Sequence, residues 1–226
     1  MFIPPERWDA CVDHDHTPML ADEGKSLWIH VDASVKRDSS AAVATYYDRD
    51  TRKVVLAMHR IWQPTPDAPL DLEETIEKYL IELWARYRVS GISYDPFQFH
   101  RSATTLAKRG IPVVEFAQTE PNLTAASQQL YELLEYKNLV MYPSNELRRQ
   151  AMSAVALEKK RGWRIAKEKT SSKIDSVVSL AASAYHTVTH GAYQIDKPLT
   201  LTSNFSDDGA VPVAWNEEAL PAMFRN

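Results

Sequence analysis

Three strand-length apolar segments follow one another near the start of the chain, and after them strands and helices take turns. That rhythm constrains the fold more than any other feature. Leu27–Asp32 (LWIHVD) is an apolar run too short for a helix and reads as a buried strand. Ala41–Tyr47 and Val54–Trp62 are two further strands, and the polar, turn-prone DRDTR between them makes an antiparallel meander. Thr65–Pro69 breaks the chain. Leu72, Ile76, Leu80 and Leu83 then recur at three- and four-residue steps and predict a helix over Leu72–Tyr87. A strand is expected at Ile92–Asp95, a helix near Arg101–Arg109 closed by Gly110, and a strand at Val113–Phe116. A helix at Ala125–Lys137 and a strand at Leu139–Tyr142 follow. Ser144 and Asn145 can cap a helix over about Glu146–Lys159, and a strand or hairpin arm at Trp163–Lys167 leads to a last helix, Ser172–Val188. The order β-β-β-α-β-α-β-α-β-α predicts an α/β protein: a mixed sheet of three antiparallel strands, then parallel ones, flanked by helices.

Three segments are expected. Residues 1–26 form an N-terminal arm without a sustained period; Phe2, Ile3 and Trp8 would be odd in a free tail, so it should lie on the domain or be the remnant of a linker. Residues 27–190 form the domain, and 191–226, rich in Pro, Ser, Asn and Asp, a poorly ordered tail. A chain of 226 residues buries about 70–75% of its unfolded surface, so no covalent staple is needed. The single Cys11 excludes an intramolecular disulfide and a cysteine-based zinc site. No apolar run approaches the ~20 residues of a membrane span, and no signal peptide opens the chain, so a cytosolic location is expected. A net charge of −4 argues against a generally basic nucleic-acid binder but leaves room for a local basic patch.

Three acids stand where a carboxylate is costly. Asp32 ends a hydrophobic strand, where an ionised group needs solvent, a partner or a metal. Asp95 ends the strand after the first long helix and precedes Pro96, which also suits a plain turn. Asp175 sits in the first turn of the last helix, beside the stripe Ile174, Val177, Val178, Ala181, Ala182 and Tyr185 that docks it on the sheet. A capping box, Ser172-x-x-Asp175, would account for it without chemistry. In a mixed sheet the C-terminal ends of strands one and four are neighbours, and a helix laid across the sheet can bring its first turn to the same point. Carboxylates so gathered repel unless cations lie between them, and oxygen-only ligands select Mg²⁺ or Mn²⁺. Two such ions about 3.5–4 Å apart can activate a water and stabilise the leaving oxygen in phosphodiester hydrolysis.

FIPPERWDAC, WIHVDASVKRDSSAAV and KIDSVVSLAASAY together resemble the C-terminal nuclease domain of the large terminase subunit of tailed bacteriophages, over roughly residues 2–190. YDPFQ falls where that family places its second acid. The resemblance implies an RNase H-like fold related to RuvC-type resolvases, with Asp32, Asp95 and Asp175 as the metal-binding catalytic acids. It also implies that Asp38, a few residues after the first acid, helps hold a second, weaker metal; Asp38 suits a solvated hairpin equally well. The implied activity is endonucleolytic cutting of concatemeric viral DNA during genome packaging, with two Mg²⁺ or Mn²⁺ ions, in the host cell cytoplasm. The implied partners are double-stranded DNA and, in the packaging motor, an ATPase domain, the portal and the small terminase, with no membrane. Gly24-Lys25-Ser26 mimics the end of a phosphate-binding loop, but Met19 stands where its first Gly belongs and a strand follows. The chain is therefore expected to be an isolated nuclease domain without ATP hydrolysis.

Between Arg148 and Lys173 the charge is one-sided: Arg148, Arg149, Lys159, Lys160, Arg161, Arg164, Lys167, Lys169 and Lys173 face only Glu158 and Glu168. This arm, with Trp163 in its middle, is expected to track a phosphate backbone without reading sequence, and Lys173 to lie near the scissile phosphate or the acids. The acidic stretch Asp67–Glu82 should face away from DNA. The pairs His14/His16 and His186/His190 lack a third ligand and read as incidental surface histidines. Two other functions fit the same residues: a junction resolvase or ribonuclease H on the same sheet, and a docking module of the packaging motor with silent cleavage.

Overall fold

The computed structural model describes residues 2–34, 39–65, 67–159, 162–169 and 172–191. The chain divides into two units, Met1–Gln194 and Ile195–Asn226, and every described residue lies in the first. The expectation for the tail beyond residue 191 falls outside the described residues, as do Asp38, Lys160 and Arg161.

Among the described residues the first unit is built on one six-stranded sheet. Strands β1 (Leu27–Asp32), β2 (Ser40–Asp48) and β3 (Lys53–Trp62) form the antiparallel meander. Strands β4 (Val89–Tyr94), β5 (Val113–Glu115) and β6 (Leu139–Val140) join parallel to β1, β4 and β3, giving the order β5-β4-β1-β2-β3-β6. Strand β1 thus lies in the middle with partners on both sides, as its unbroken apolar run requires.

The pleat divides β1 between two cores. Leu27, Ile29 and Val31 face helices α2 (Lys78–Arg86, entered through a π-helical turn at Glu73–Glu77) and α3 (Pro96–Lys108), where Ile76, Leu80, Phe99, Ala103 and Leu106 are buried. Trp28, His30 and Asp32 point to the opposite face. That face is covered by α4 (Glu120–Glu135), α5 (Asn145–Met152) and α6 (Asp175–His186). The Trp28 indole stacks on His186 at 5.1 Å and on His190 at 4.6 Å between ring centroids. It lies so close to Gly91 of β4 that a Cβ there would overlap the ring, which is why β4 carries a glycine at its second pairing position. The histidines at 186 and 190 are therefore not incidental surface groups, because the indole supplies an aromatic surface that removes His186 from water.

Two other elements depart from expectation. The helix predicted to run to Lys159 ends at Met152, and Ala154–Lys159 becomes β7, paired antiparallel with β8 (Gly162–Lys167). Ala, Leu, Glu and Lys favour a helix locally, but a complete cross-strand ladder with β8 overrides that preference. The arm contains α1 (Pro5–Asp9) and is integral to the core: Phe2, Ile3 and Trp8 are buried with α4, α5 and α6, and Phe2 N–H donates to the Ala154 carbonyl at 2.8 Å. Lys25 precedes a strand and pairs with Asp48 at 3.0 Å, an ordinary ion pair in the phosphate-loop mimic.

Candidate active site

The C-terminal edge of the parallel strands positions two of the acids. In the register of β1 and β4, His30 lies beside Ser93 and Val31 beside Tyr94, so the next residues along the two strands are Asp32 and Asp95. Adjacent strands run about 4.8 Å apart. By the pleat, Asp32 shares its face with His30, which bonds through Nδ1 to the Ser93 hydroxyl at 2.8 Å, directly below the two acids. Burial holds His30 neutral, with its pKa pushed down to about 3. Both acids are half-buried at the sheet edge.

The third acid arrives from above. Asp32 is the cross-strand partner of Ala41, so Ser39, two residues before Ala41, lies on the same face of β2 and its approach. The Ser39 hydroxyl donates to the Asp175 carboxylate, and this ties the first turn of α6 to the strand edge. Ser40 closes the β1–β2 connection at the same place: its hydroxyl accepts from the Ser34 N–H at 2.8 Å and donates to the Ser34 carbonyl at 2.9 Å. The capping box is not formed. Ile174 is the N-cap and Asp175 is the first helical residue. The N–H of Ser176 donates instead to Gln150 Oε1 of α5 at 3.0 Å, and the Ser176 hydroxyl to the same oxygen at 2.8 Å. Gln150 thereby fixes the start of α6, and with it Asp175. Neither Ser39 nor Gln150 was singled out by sequence reasoning; the polar run DSS before the alternating AAV was the available signal for the first, and nothing local marks the second.

Asp175 is 6% exposed, and the Lys167 ammonium of β8 stands 3.8 Å from its carboxylate. A buried carboxylate is costly without positive charge, and here a lysine supplies some of it. The donor set at this edge, carboxylates and hydroxyls without thiol or free imidazole, suits a hard divalent cation. Among the described residues no group of three His, Cys, Asp or Glu is gathered tightly enough to hold one ion.

The basic arm is the β7–β8 hairpin and its exit. Arg164 and Lys173 are half-buried and Lys169 is exposed. Two cations counted with this arm have other partners: Arg148 makes a two-pronged pair with Asp9, Nε–Oδ1 at 2.7 Å and Nη2–Oδ2 at 2.8 Å, and Arg149 approaches Glu146 at 3.5 Å. Arg148 thus clamps α1 to α5.

A central β1 flanked by β2 and β4, with an acid at its end and a closing helix that brings another, defines an RNase H-like nuclease fold. The chain belongs to the family described as terminase large subunit, endonuclease domain, whose model matches residues 47–190. That span contains Asp95 and Asp175 and begins after Asp32. The fold is similar to the large terminase of bacteriophage HK97, with a TM-score of 0.69 at 18% identity over 81% of this chain and 43% of that one. This chain thus spans less than half the length of the HK97 protein. It is also similar to the large terminase nuclease of thermophilic phage G20c with bound magnesium, with a TM-score of 0.61 at 13% identity over 79% of this chain and 94% of that one. The nuclease domain of the Thermus phage P74-26 large terminase aligns with a TM-score of 0.60 at 12% identity, over 79% of this chain and 92% of that one. No curated protein sequence matches the chain.

Proposed function

We propose that this chain is a divalent-metal-dependent DNA endonuclease that cuts concatemeric viral DNA during genome packaging in the infected host cell. The observation that carries the reading is the placement of Asp32 and Asp95 at the ends of neighbouring parallel strands, on the sheet face where α6 holds Asp175. Asp32, Asp95 and Asp175, with Asp38, would hold Mg²⁺ or Mn²⁺, in keeping with the magnesium bound by the G20c nuclease. When bound, a pair of such ions supplies a water nucleophile at neutral pH and neutralises charge on the departing oxygen.

The chain's own residues do the rest. Ser39 and Gln150 restrict where the Asp175 carboxylate can go, so it is oriented before substrate arrives. Lys167, beside Asp175, supplies a positive charge toward which a backbone phosphate is drawn. Arg164, Lys169 and Lys173, with Lys160 and Arg161, extend the contact along the duplex without reading bases. Within a packaging motor the same domain would work beside an ATPase domain, the portal and the small terminase.

Incubation of plasmid with Mg²⁺ or Mn²⁺ tests the reading. The wild type should nick and linearise it, chelator should abolish cutting, and Asp32→Ala and Asp175→Ala should each lose about a thousandfold or more, the scale expected when a unit of catalytic groups is broken. Equal cutting by wild type and both variants overturns it.

A further inference from the structure

Helix α5 covers the same sheet face that carries Asp32 and Asp175, and three contacts fix which of its sides looks toward them. Glu146 Oε1 accepts from Gln63 Nε2 at 2.6 Å. Gln150 holds Ser176, the neighbour of Asp175. The carbonyl of Ser153, the C-cap, accepts from the Glu168 N–H at 3.4 Å, one residue beyond Lys167. Gln63 belongs to the acid-bearing edge as well. Asp32 pairs with Ala41 and Ala41 with Ile61, so β3 runs out at that edge two strands from Asp32, about 10 Å across the sheet. Residues three and four apart share one side of a helix, so Glu146, Arg149, Gln150 and Ser153 make one stripe. Arg148 lies off it, turned to Asp9 of α1. Three members of the stripe thus touch the end of β3, the start of α6 and the exit of β8. The fourth, Arg149, has its side chain 70% exposed and meets Glu146 at 3.5 Å. An exposed pair of that length contributes little and yields to a stronger anion, while Gln63 stays with the carboxylate.

Building on the nuclease reading above, we propose that Arg149 is a phosphate anchor that carries the DNA track from the β7–β8 hairpin along α5 to the end of β3. The duplex then lies along α5 and over the start of α6. Lys167 meets it at the C-terminal end of α5, and Arg149 meets it one turn back toward β3. The guanidinium fork can give two parallel N–H donors to one phosphate, which fixes direction as well as charge. A backbone held at two points along the edge is positioned between them, and neither contact reads a base.

The test reads duplex affinity by fluorescence anisotropy across a salt series, with Ca²⁺ in place of Mg²⁺. Arg149→Ala should lower the slope of log affinity against log salt by about one, and Arg149→Lys, which keeps the charge, should retain it. Arg101 of α3 is the matched control: an arginine 87% exposed and paired with Glu73 at 2.9 Å, on the other face of the sheet. Arg101→Ala should leave the slope at the wild-type value. A photo-crosslinker then reads the path. Cys11 is buried, so the label goes to an introduced thiol. On Asn145→Cys, one turn from Arg149, it should capture the duplex. On Tyr136→Cys, exposed at the opposite edge where β3 begins, it should not. An unchanged slope in Arg149→Ala, an equal drop in Arg101→Ala, or equal capture from both thiols overturns the anchor. A protein that gives the expected slopes and capture yet cuts no DNA with Mg²⁺ or Mn²⁺ overturns the nuclease reading and upholds the anchor.

Discussion

His186 shows how far tertiary surroundings can change a side chain. Its ring is stacked on Trp28, edge-on to Phe116 at 4.9 Å and parallel to His190 at 5.8 Å. Burial first, and the neighbouring His190 second, push its pKa down to about 3. An unfolded histidine takes up its proton near 6.5, so between that value and about 3 the unfolded chain binds more protons and stability falls as pH falls. The loss from this residue alone should reach about 2 kcal/mol by about pH 5. His186→Phe keeps the stack and removes the proton site, so its urea midpoint should decline less than the wild type's on going from neutral pH to about pH 5. Parallel declines would show that His186 is not held neutral. Asp175 is the reverse case: a residue whose setting the sequence half disclosed. Its place at the start of the last helix was legible from the apolar stripe behind it, whereas the hydroxyl of Ser39, marked only by a polar run, and the amide of Gln150, marked by nothing local, come from 136 and 25 residues away in sequence.

At the scale of elements, β7 departs most from the sequence reading, whereas β8 falls on the strand or hairpin arm expected at Trp163–Lys167. The hairpin that they form carries Arg164 opposite Leu157 and Lys167 opposite Ala154, on opposite faces of β8, while Ile165 packs into the core. Each lysine or arginine that meets a phosphate contributes about one unit to the slope of log affinity against log salt. Arg164→Ala combined with Lys169→Ala should weaken binding to any duplex sequence and lower that slope by about two, read by fluorescence anisotropy across a salt series. An unchanged slope would take the hairpin off the DNA track. Arg148 should not behave this way, because its guanidinium is committed to Asp9. The main sheet was far more legible: the expected bounds of β1 agree with the structure, and those of β2 and β3 fall within one residue. Strands buried on both faces reveal themselves as continuous apolar runs, while a two-stranded arm with exposed sides has no such run to show.

For the whole molecule, the arm is structural as much as connective. Trp8 is 2% exposed among Phe2, Ile3, Cys11 and the inner faces of α4 to α6. Trp8→Ala should cost about 3–5 kcal/mol through lost transfer energy and the cavity left behind. Calorimetry would register this as a lower melting temperature, and an unshifted transition would mean that the arm merely lies on the surface. Since α1 is clamped to α5, and α5 holds the start of α6 through Gln150, the arm also bears indirectly on Asp175. Among the described residues no helix is long and apolar enough to cross a membrane.

The amino-acid sequence alone determined the order of the six main-sheet strands and the helices between them, the faces they bury, and the fact that acids sit at two strand ends and one helix start. These follow from periodicity and from the cost of a carboxylate beside apolar residues, both of which act over a few neighbours. Tertiary structure alone decided that β1 and β4 lie side by side with Asp32 and Asp95 in step, that Ser39 reaches Asp175, that His186 is stacked out of water, and that Ala154–Lys159 pairs as a strand. Each of these depends on partners far along the chain, whose hydrogen bonds and buried surface outweigh local preference once they meet.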